Sequence, residues 1–440
     1  MNFEEFKIDL GKKATLVSIV CDSFENHNTK ENTESSLTEL RELLRTLGVE
    51  AQGQYYQNRK KLDAATILGE GKIREIADLA RAEDSSILVF DFELTASQLR
   101  NIKKITNLEI IDRCMIILEI FALHAQTSDA KIQIEISRLQ YMLPRLTSMW
   151  SHFSKQKGGI GVRGGEGEQQ LELDRRIIRA RIEFLKKQLT EISKSREQQR
   201  KKRQNKAVTA ALVGYTNAGK SSLMNRLCRV QVLEEDKLFA TLDSTFRTLN
   251  PNSHPPMLLI DTVGFIQNLP NTLIEGFKTT LESALEADLL IIVCDLSDPN
   301  YKKHLKVTDE VLSELKQEDK ERIVVFTKID KIQDPFMPKI VMRNFKASFL
   351  VSSYDKQDID DLREYVINYF LEKQDHYDLF IPYDDGLAHS KILQNANIIN
   401  SVNHEKGIFY RIRMPDFIFL RLGVGQYILA PDDPRLKEIQ

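Results

Sequence analysis

One stretch near the middle of the chain constrains the fold more than any other. AVTAALVGYTNAGKSSLMNRLCRV (207–230) passes from an apolar strand pattern into Gly214-Tyr215-Thr216-Asn217-Ala218-Gly219-Lys220-Ser221 and out into a helical pattern. This is GxxxxGK[ST] in its strand–loop–helix setting. Glycines at both ends let the backbone wrap closely, so that successive N–H groups face phosphate oxygens, and the helix N-terminus adds partial positive charge. The string predicts a triphosphate-binding loop in which Lys220 reaches the β- and γ-phosphates and the Ser221 hydroxyl meets Mg²⁺.

Three later strings indicate which nucleotide such a loop would serve. MLLIDTVGF (257–265) reads as a strand ending in Asp261-Thr262-Val263-Gly264, with Asp261 on the magnesium side and the Gly264 N–H toward the γ-phosphate. RIVVFTKID (322–330) ends in Thr327-Lys328-Ile329-Asp330. A carboxylate at Asp330 accepts from guanine N1–H and N2–H₂, a pair of donors that adenine lacks. FLVSS (349–353) then sets Ser352 and Ser353 at the base. Each string alone is weak, but four in order, each closing an apolar strand pattern, predict a doubly wound α/β GTPase domain. LFATLDST (238–245) lies where a switch loop brings a hydroxyl to Mg²⁺; Thr241 is the candidate, and Thr245 starts the next strand. Phe265 follows the DxxG glycine, where many GTPases carry a water-orienting Gln. Its ring makes no hydrogen bond, so slow turnover that rises on a partner is expected.

The rest of the 440 residues, enough for two to four domains at roughly 100–200 residues each, divides by pattern. ATLVSIV (14–20), SILVFDF (86–92) and LEIID (108–112) read as buried strands among amphipathic helices, implying βαβ units and a small parallel sheet. GEGK (69–72) reads as a turn and helix cap. From Asp129 the period becomes helical: Ile132, Ile136, Leu139, Leu143 and Leu146 form one seam, and Leu171, Ile178, Ile182, Leu185, Leu189 and Ile192 a second. Two such seams predict an antiparallel helical hairpin, with Pro144 ending or kinking the first arm. KGGIGVRGGEGE (157–168) is expected to be the loop at its tip, and its length points to a contact role.

Charge is segregated along the chain. The net charge is −2, yet 175–206 carries 13 basic and 3 acidic residues. Without interleaved aromatics, this block suggests backbone contact with folded RNA or a duplex. Four widely spaced cysteines and eight unclustered histidines exclude a disulfide framework and zinc hydrolase chemistry. The opening segment lacks signal-peptide order, and no apolar run reaches 18 residues, so a cytoplasmic protein without a membrane span is expected.

Taken together, DRCMIILEIFALHAQTSDAKIQIEISRLQYMLPRL (112–146), GGIGVRGGEGEQQLELDRR (158–176), GYTNAGKSSLMNRL and LFATLDSTFR resemble the HflX family of ribosome-associated GTPases, densely from about Asp112 to Asn300. The resemblance implies a GTPase that binds the large (50S) ribosomal subunit and its rRNA and separates stalled or idle ribosomes. Its hairpin would reach toward the peptidyl-transferase region. It implies GTP contacts at Gly214 through Ser221, at Phe239, Ala240, Thr241, Leu242 and Asp243, at Asp261 through Gly264, at Thr327 through Asp330, and at Ser352, Ser353 and Tyr354. Mg²⁺ would sit on Ser221 and Thr241, with Lys220, Thr241 and Gly264 at the reacting phosphate. The chain departs from the family pattern at Thr327, where an Asn is usual, at GGEGEQ in place of GPGET, at LDST in place of LDPT, and at Ser353 in place of Ala.

The expected organisation is an N-terminal α/β domain (1–128), a helical hairpin with a glycine-rich tip and basic arm (129–206), a GTPase domain (207–372) and a small α+β domain (373–440). A monomer off the ribosome, partly ribosome-bound in the cell, completes the expectation. Rival readings are a GTPase acting on another RNA or in ribosome assembly, and a nucleotide-gated RNA-binding module with little hydrolysis.

Overall fold

The computed structural model describes residues 12–22, 24, 27–146, 164–204 (side chains for 171–194), 207–229, 238–239, 245–267, 286–315, 317, 320–345, 348–430 and 433. These form two compact units: one runs to Ser193 and takes in 238–239 and 266–267, and the other holds the remaining described residues.

The first unit opens with β1 (Lys13–Val20), α1 (Lys30–Thr46), β2 (Glu50–Asn58), α2 (Glu70–Ala82), β3 (Ile87–Phe90), α3 (Ala96–Thr106), β4 (Glu109–Asp112), α4 (Arg113–His124) and α5 (Ser128–Met142). The strands form a sheet of order β2-β1-β3-β4, parallel throughout. The expected strands and helices are present with shifted ends. The addition is β2, whose EAQGQYYQN carries no apolar run because an edge strand pairs on one side only and stays largely open. Gly69 caps α2, as GEGK suggested, and Thr95 with Gln98 makes a reciprocal capping box at α3. Asp91 interrupts an apolar strand end yet is fully buried. His27 Nε2 lies 2.9 Å and Arg113 2.8 Å from its carboxylate, and these contacts outweigh burial and hold its pKa below the usual carboxylate value.

Beyond α5, a 3₁₀ turn at Leu143–Arg145 contains Pro144, so the proline ends the first arm. The second arm is α6 (Gly164–Gln204), 41 residues long. Ile136, Leu139 and Leu146 meet Ile178, Ile182 and Leu185 in one buried cluster, flanked by Ile132, Leu143, Leu171 and Leu189, so the two seams pack as the spacing required. The expected tip loop needs correction at its end. Residues 164–168 are helical rather than loop: the long helix extends N-terminally through Gly164, Gly165 and Gly167, each of which costs it about 1 kcal/mol. Residues 157–163 lie outside the described residues.

The second unit is built on a six-stranded sheet of order β10-β9-β8-β5-β7-β6, from β5 (Val208–Gly214), β6 (Thr245–Asn250), β7 (Met257–Asp261), β8 (Leu289–Asp295), β9 (Arg322–Thr327) and β10 (Ser348–Leu350). All neighbours are parallel except β6, which runs antiparallel to β7 at the edge. Helices α7 (Lys220–Leu227), α8 (Tyr301–Glu314), α9 (Met337–Asn344) and α10 (Lys356–Glu372) complete the α/β fold. Its core joins Leu212, Leu223, Leu227, Leu259, Ile291, Val325 and Leu362. A separate antiparallel sheet of order β11-β13-β12 follows, from β11 (Asp375–Pro382), β12 (Asn397–His404) and β13 (Gly407–Met414), with α11 (Gly386–Asn395) and α12 (Asp416–Leu422). This is the α+β element expected after the GTPase sheet. Among the described residues, no helix is long and apolar enough to cross a membrane.

Candidate functional site

The sheet order brings the four strings together. Gly214 ends β5, Asp261 ends β7 and Thr327 ends β9, while Ser352 follows β10 by two residues. In an open parallel sheet these carboxyl ends share one edge, where ligands of such folds bind.

The loop after β5 takes its shape from backbone constraints. Gly214 has φ of 151°, and a Cβ there would lie 2.1 Å from the Val293 carbonyl oxygen of the adjacent strand, so only glycine fits. Gly219, at φ 88°, forms the N-cap of α7. Gly264 leaves no room for a side chain either: an added Cβ would stand 2.7 Å from Thr216 Cα and 3.0 Å from Lys220 Nζ. Phe265 zips this segment to the loop, its N–H donating to the Gly214 carbonyl at 3.0 Å and its carbonyl accepting from the Thr216 N–H at 2.7 Å. The Phe265 ring is 2% exposed, which leaves it as packing.

Lys220 is buried. Its Nζ donates to the carbonyls of Tyr215 at 2.8 Å and Gly214 at 3.2 Å. Burial pushes its pKa down to about 8, with Asp261 opposing. The Ser221 hydroxyl donates to Asp261 Oδ2 at 2.7 Å. A hydroxyl and a carboxylate this close present hard oxygens of the kind Mg²⁺ takes, so the residues fit that ion. Thr262 is turned away, its hydroxyl donating to the Leu212 carbonyl at 2.7 Å, so its part in the site is to hold β7 against β5.

The third string braces the loop. Thr327 Oγ1 donates to the Ala218 carbonyl at 2.6 Å, with the Cys294 carbonyl at 3.2 Å. The hydroxyl at the position where an amide is usual is therefore buried and engaged with the phosphate loop itself. Lys328, in the left-handed region at φ 57°, lays Nζ across to the Asn217 carbonyl and to Asp295 Oδ2, both at 2.8 Å. Asp330 lies in the short turn Ile329–Lys331, where Oδ1 accepts from Ser352 Oγ at 2.7 Å. Ser352 is held in turn by Asp358, whose carboxylate accepts from its N–H at 2.8 Å. Ser353 and Tyr354 continue this segment, with Tyr354 81% exposed.

Phe239 belongs to the first unit, buried edge-on against Phe121 with centroids 4.6 Å apart. Ala240, Thr241, Leu242 and Asp243 fall outside the described residues. Sequence reading passed over Asp295, Asp358 and His304, whose ring stacks on Tyr215 at 3.9 Å. Asp295 had a signal, since LLIIVCD also ends an apolar strand in a carboxylate; His304 had none.

Comparison with known proteins agrees with this geometry. Residues 34–122 match the family model for the GTP-binding GTPase N-terminal region, 124–203 that for the GTP-binding GTPase middle region, and 209–328 that described as 50S ribosome-binding GTPase. GTPase HflX of Alkalihalophilus pseudofirmus is 42% identical over 330 residues, covering 75% of this chain and 77% of its own. GTPase HflX of Escherichia coli is 35% identical over 420 residues, covering 94% and 96%. A crystal structure of a GTP-binding protein from Sulfolobus solfataricus in complex with GDP aligns over 81% of this chain and 98% of its own, at 24% identity and TM-score 0.42. With such identity spread over most of both chains, and with the loop, the strand-end carboxylates and the TKxD turn gathered on one sheet edge, the chain belongs to the HflX family of GTPases and is a GTP-hydrolysing enzyme.

Proposed function

We propose that this GTPase binds the large (50S) ribosomal subunit through rRNA and separates stalled or idle ribosomes, with GTP setting the engaged form and hydrolysis releasing it. One observation carries the reading: a chain with a guanine-type phosphate edge also has a 41-residue helix whose 175–204 portion holds 12 basic residues against 3 acidic ones. In that portion Arg181 is met by Glu135 at 2.8 Å and Lys186 by Glu183 at 3.4 Å. These are exposed pairs of small energetic weight, so phosphates compete for the cations. The match of 209–328 to the 50S ribosome-binding GTPase family supports the partner.

In this reading Gly214 through Ser221 cradle the phosphates. Lys220 gives up its two carbonyl partners for the β- and γ-phosphate oxygens, and the Gly264 N–H meets the γ-phosphate. Ser221 and Thr241 would hold Mg²⁺, with Asp261 behind Ser221; bound there, the ion supplies neutralisation of charge developing on the phosphates. Asp330 selects guanine while Ser352 fixes its carboxylate, and Thr327 and Lys328 keep the loop in place. Ser353, Tyr354 and the segment Ala240 through Asp243 complete the nucleotide contacts, while Phe239 is spent on packing against Phe121. The four-part organisation with boundaries near 128, 206 and 372 belongs to the same reading, as do a monomeric state off the ribosome and a cytoplasmic location.

Co-sedimentation with purified 50S subunits under GTP-analogue, GDP and nucleotide-free conditions tests the partner, and sucrose-gradient profiles test the role. Binding is expected with the analogue and should weaken steeply as salt rises, with joined ribosomes shifting to free subunits. Accumulation of immature particles instead would favour the assembly reading, and no binding in any nucleotide state would end the ribosome reading.

A further inference from the structure

One carboxylate outside the four strings is tied to the guanine end of the site. After β10 the Val351 N–H still donates to the Phe326 carbonyl of β9 at 2.8 Å, but the next N–H, that of Ser352, donates to Asp358 Oδ2 at 2.8 Å. Asp358 is the third residue of α10, whose N-cap is Asp355. In a capping box an acidic residue at this position reaches back to the N–H of its own cap. Here the Asp355 N–H is taken by the Ser352 carbonyl at 3.0 Å, and the Asp358 carboxylate passes the cap to hold the residue three places before it.

Ser352 is buried and fixed by three bonds. Its N–H is on Asp358, its Oγ accepts from the Tyr354 N–H at 3.3 Å, and its O–H donates to Asp330 Oδ1 at 2.7 Å. A hydroxyl has one proton to give, so that proton is committed to Asp330. Both bonds to carboxylates are of the charge-assisted kind. Asp330 gains little from its own surroundings, because none of the turn Ile329–Lys331 is buried. To accept from guanine N1–H and N2–H₂ together, both of its oxygens must lie in the plane of the base. The terminal torsion of an aspartate is broad when nothing holds it, and a rotated carboxylate would keep one donor and lose the other.

We propose that Asp358 is a positioning residue for guanine: by clamping the Ser352 backbone it sets the plane of the Asp330 carboxylate, and with it part of the selectivity for a base that offers two donors. The proposal rests on the reading in which Asp330 meets guanine. It assigns Asp358 to base selection and leaves phosphate chemistry to the other end of the site.

The test measures GDP and IDP affinities of the full chain by displacement of a fluorescent GDP analogue. Inosine lacks the 2-amino group and offers Asp330 the N1–H alone. Asp358→Ala is expected to weaken GDP about tenfold and IDP by no more than about threefold, so that discrimination shrinks, with kcat at saturating GTP within about twofold of the unaltered protein. Asp358→Asn, whose side-chain carbonyl still accepts from the Ser352 N–H, should retain most of the affinity and the discrimination. In a Ser352→Ala background, Asp358→Ala should change discrimination no further, because it acts through that hydroxyl. Equal losses of GDP and IDP, a further loss of discrimination in the Ser352→Ala background, or no loss at all would each overturn the proposal. Asp330→Ala tells two failures apart. If it abolishes discrimination while Asp358→Ala preserves it, the guanine reading stands and this proposal alone falls; if it too preserves discrimination, both fall. Should Asp358→Ala fold poorly, Asp358→Ser keeps a polar residue in the first turn of α10 with a side chain one atom shorter, and carries the same expectations.

Discussion

Lys220 shows how one side chain links the empty loop to its ligand. Held by two carbonyls, it has a pKa lowered from the ordinary 10.5 to about 8. Between those values the unfolded chain carries more of the proton than the nucleotide-free fold, so stability of the free protein rises with pH across that window. Nucleotide affinity moves the other way, because phosphate binds the ammonium form. Affinity for a fluorescent GTP analogue should hold below about pH 8 and fall about tenfold per unit above it; a flat profile to about pH 9.5 would sink this account. Lys220→Ala should abolish binding while thermal unfolding remains cooperative. Thr327 makes a second prediction. Thr327→Val leaves the buried Ala218 and Cys294 carbonyls without their donor, so stability should drop by about 1–3 kcal/mol and nucleotide affinity several-fold, whereas Thr327→Ser should retain both. The sequence marked Thr327 as a departure from the family pattern. The direction of its hydroxyl came from strands β8 and β9 lying side by side, which no local pattern records.

Among the elements, the hairpin was read most directly. Its seams recur at helical spacing in α5 and α6, and one cluster buries both. Ile178 is fully buried within it, so Ile178→Ala should destabilise the first unit by about 2–5 kcal/mol in denaturant unfolding, while nearby Ile177, 47% exposed, should tolerate the same change. Equal losses at the two positions would mean the seam is misassigned. Strand β2 was not legible, because an edge strand without an apolar run looks like loop until a partner is known. The start of α6 was misread for a related reason: glycine spacing reports local preference, and a long helix overrides it.

For the molecule as a whole, Phe265 matters most. Its ring is buried and its backbone is spent on the loop, so it cannot orient a water molecule. GTP turnover by the protein alone should therefore be slow and should rise by at least an order of magnitude with 50S subunits, measured by phosphate release. Equal rates with and without subunits would show that the enzyme needs no partner to complete its site.

The phosphate loop, the guanine carboxylate and the helical seams were readable from the chain because each is a local chemical requirement: glycine where a Cβ has no room, a hydroxyl after the lysine, apolar residues at a fixed period. What required the folded chain was every relation between distant segments. Ser221 on Asp261, Thr327 on Ala218, and Lys328 between Asn217 and Asp295 all join residues from different segments of the chain. Strand order and packing set those distances, and neither is encoded within any single stretch of sequence.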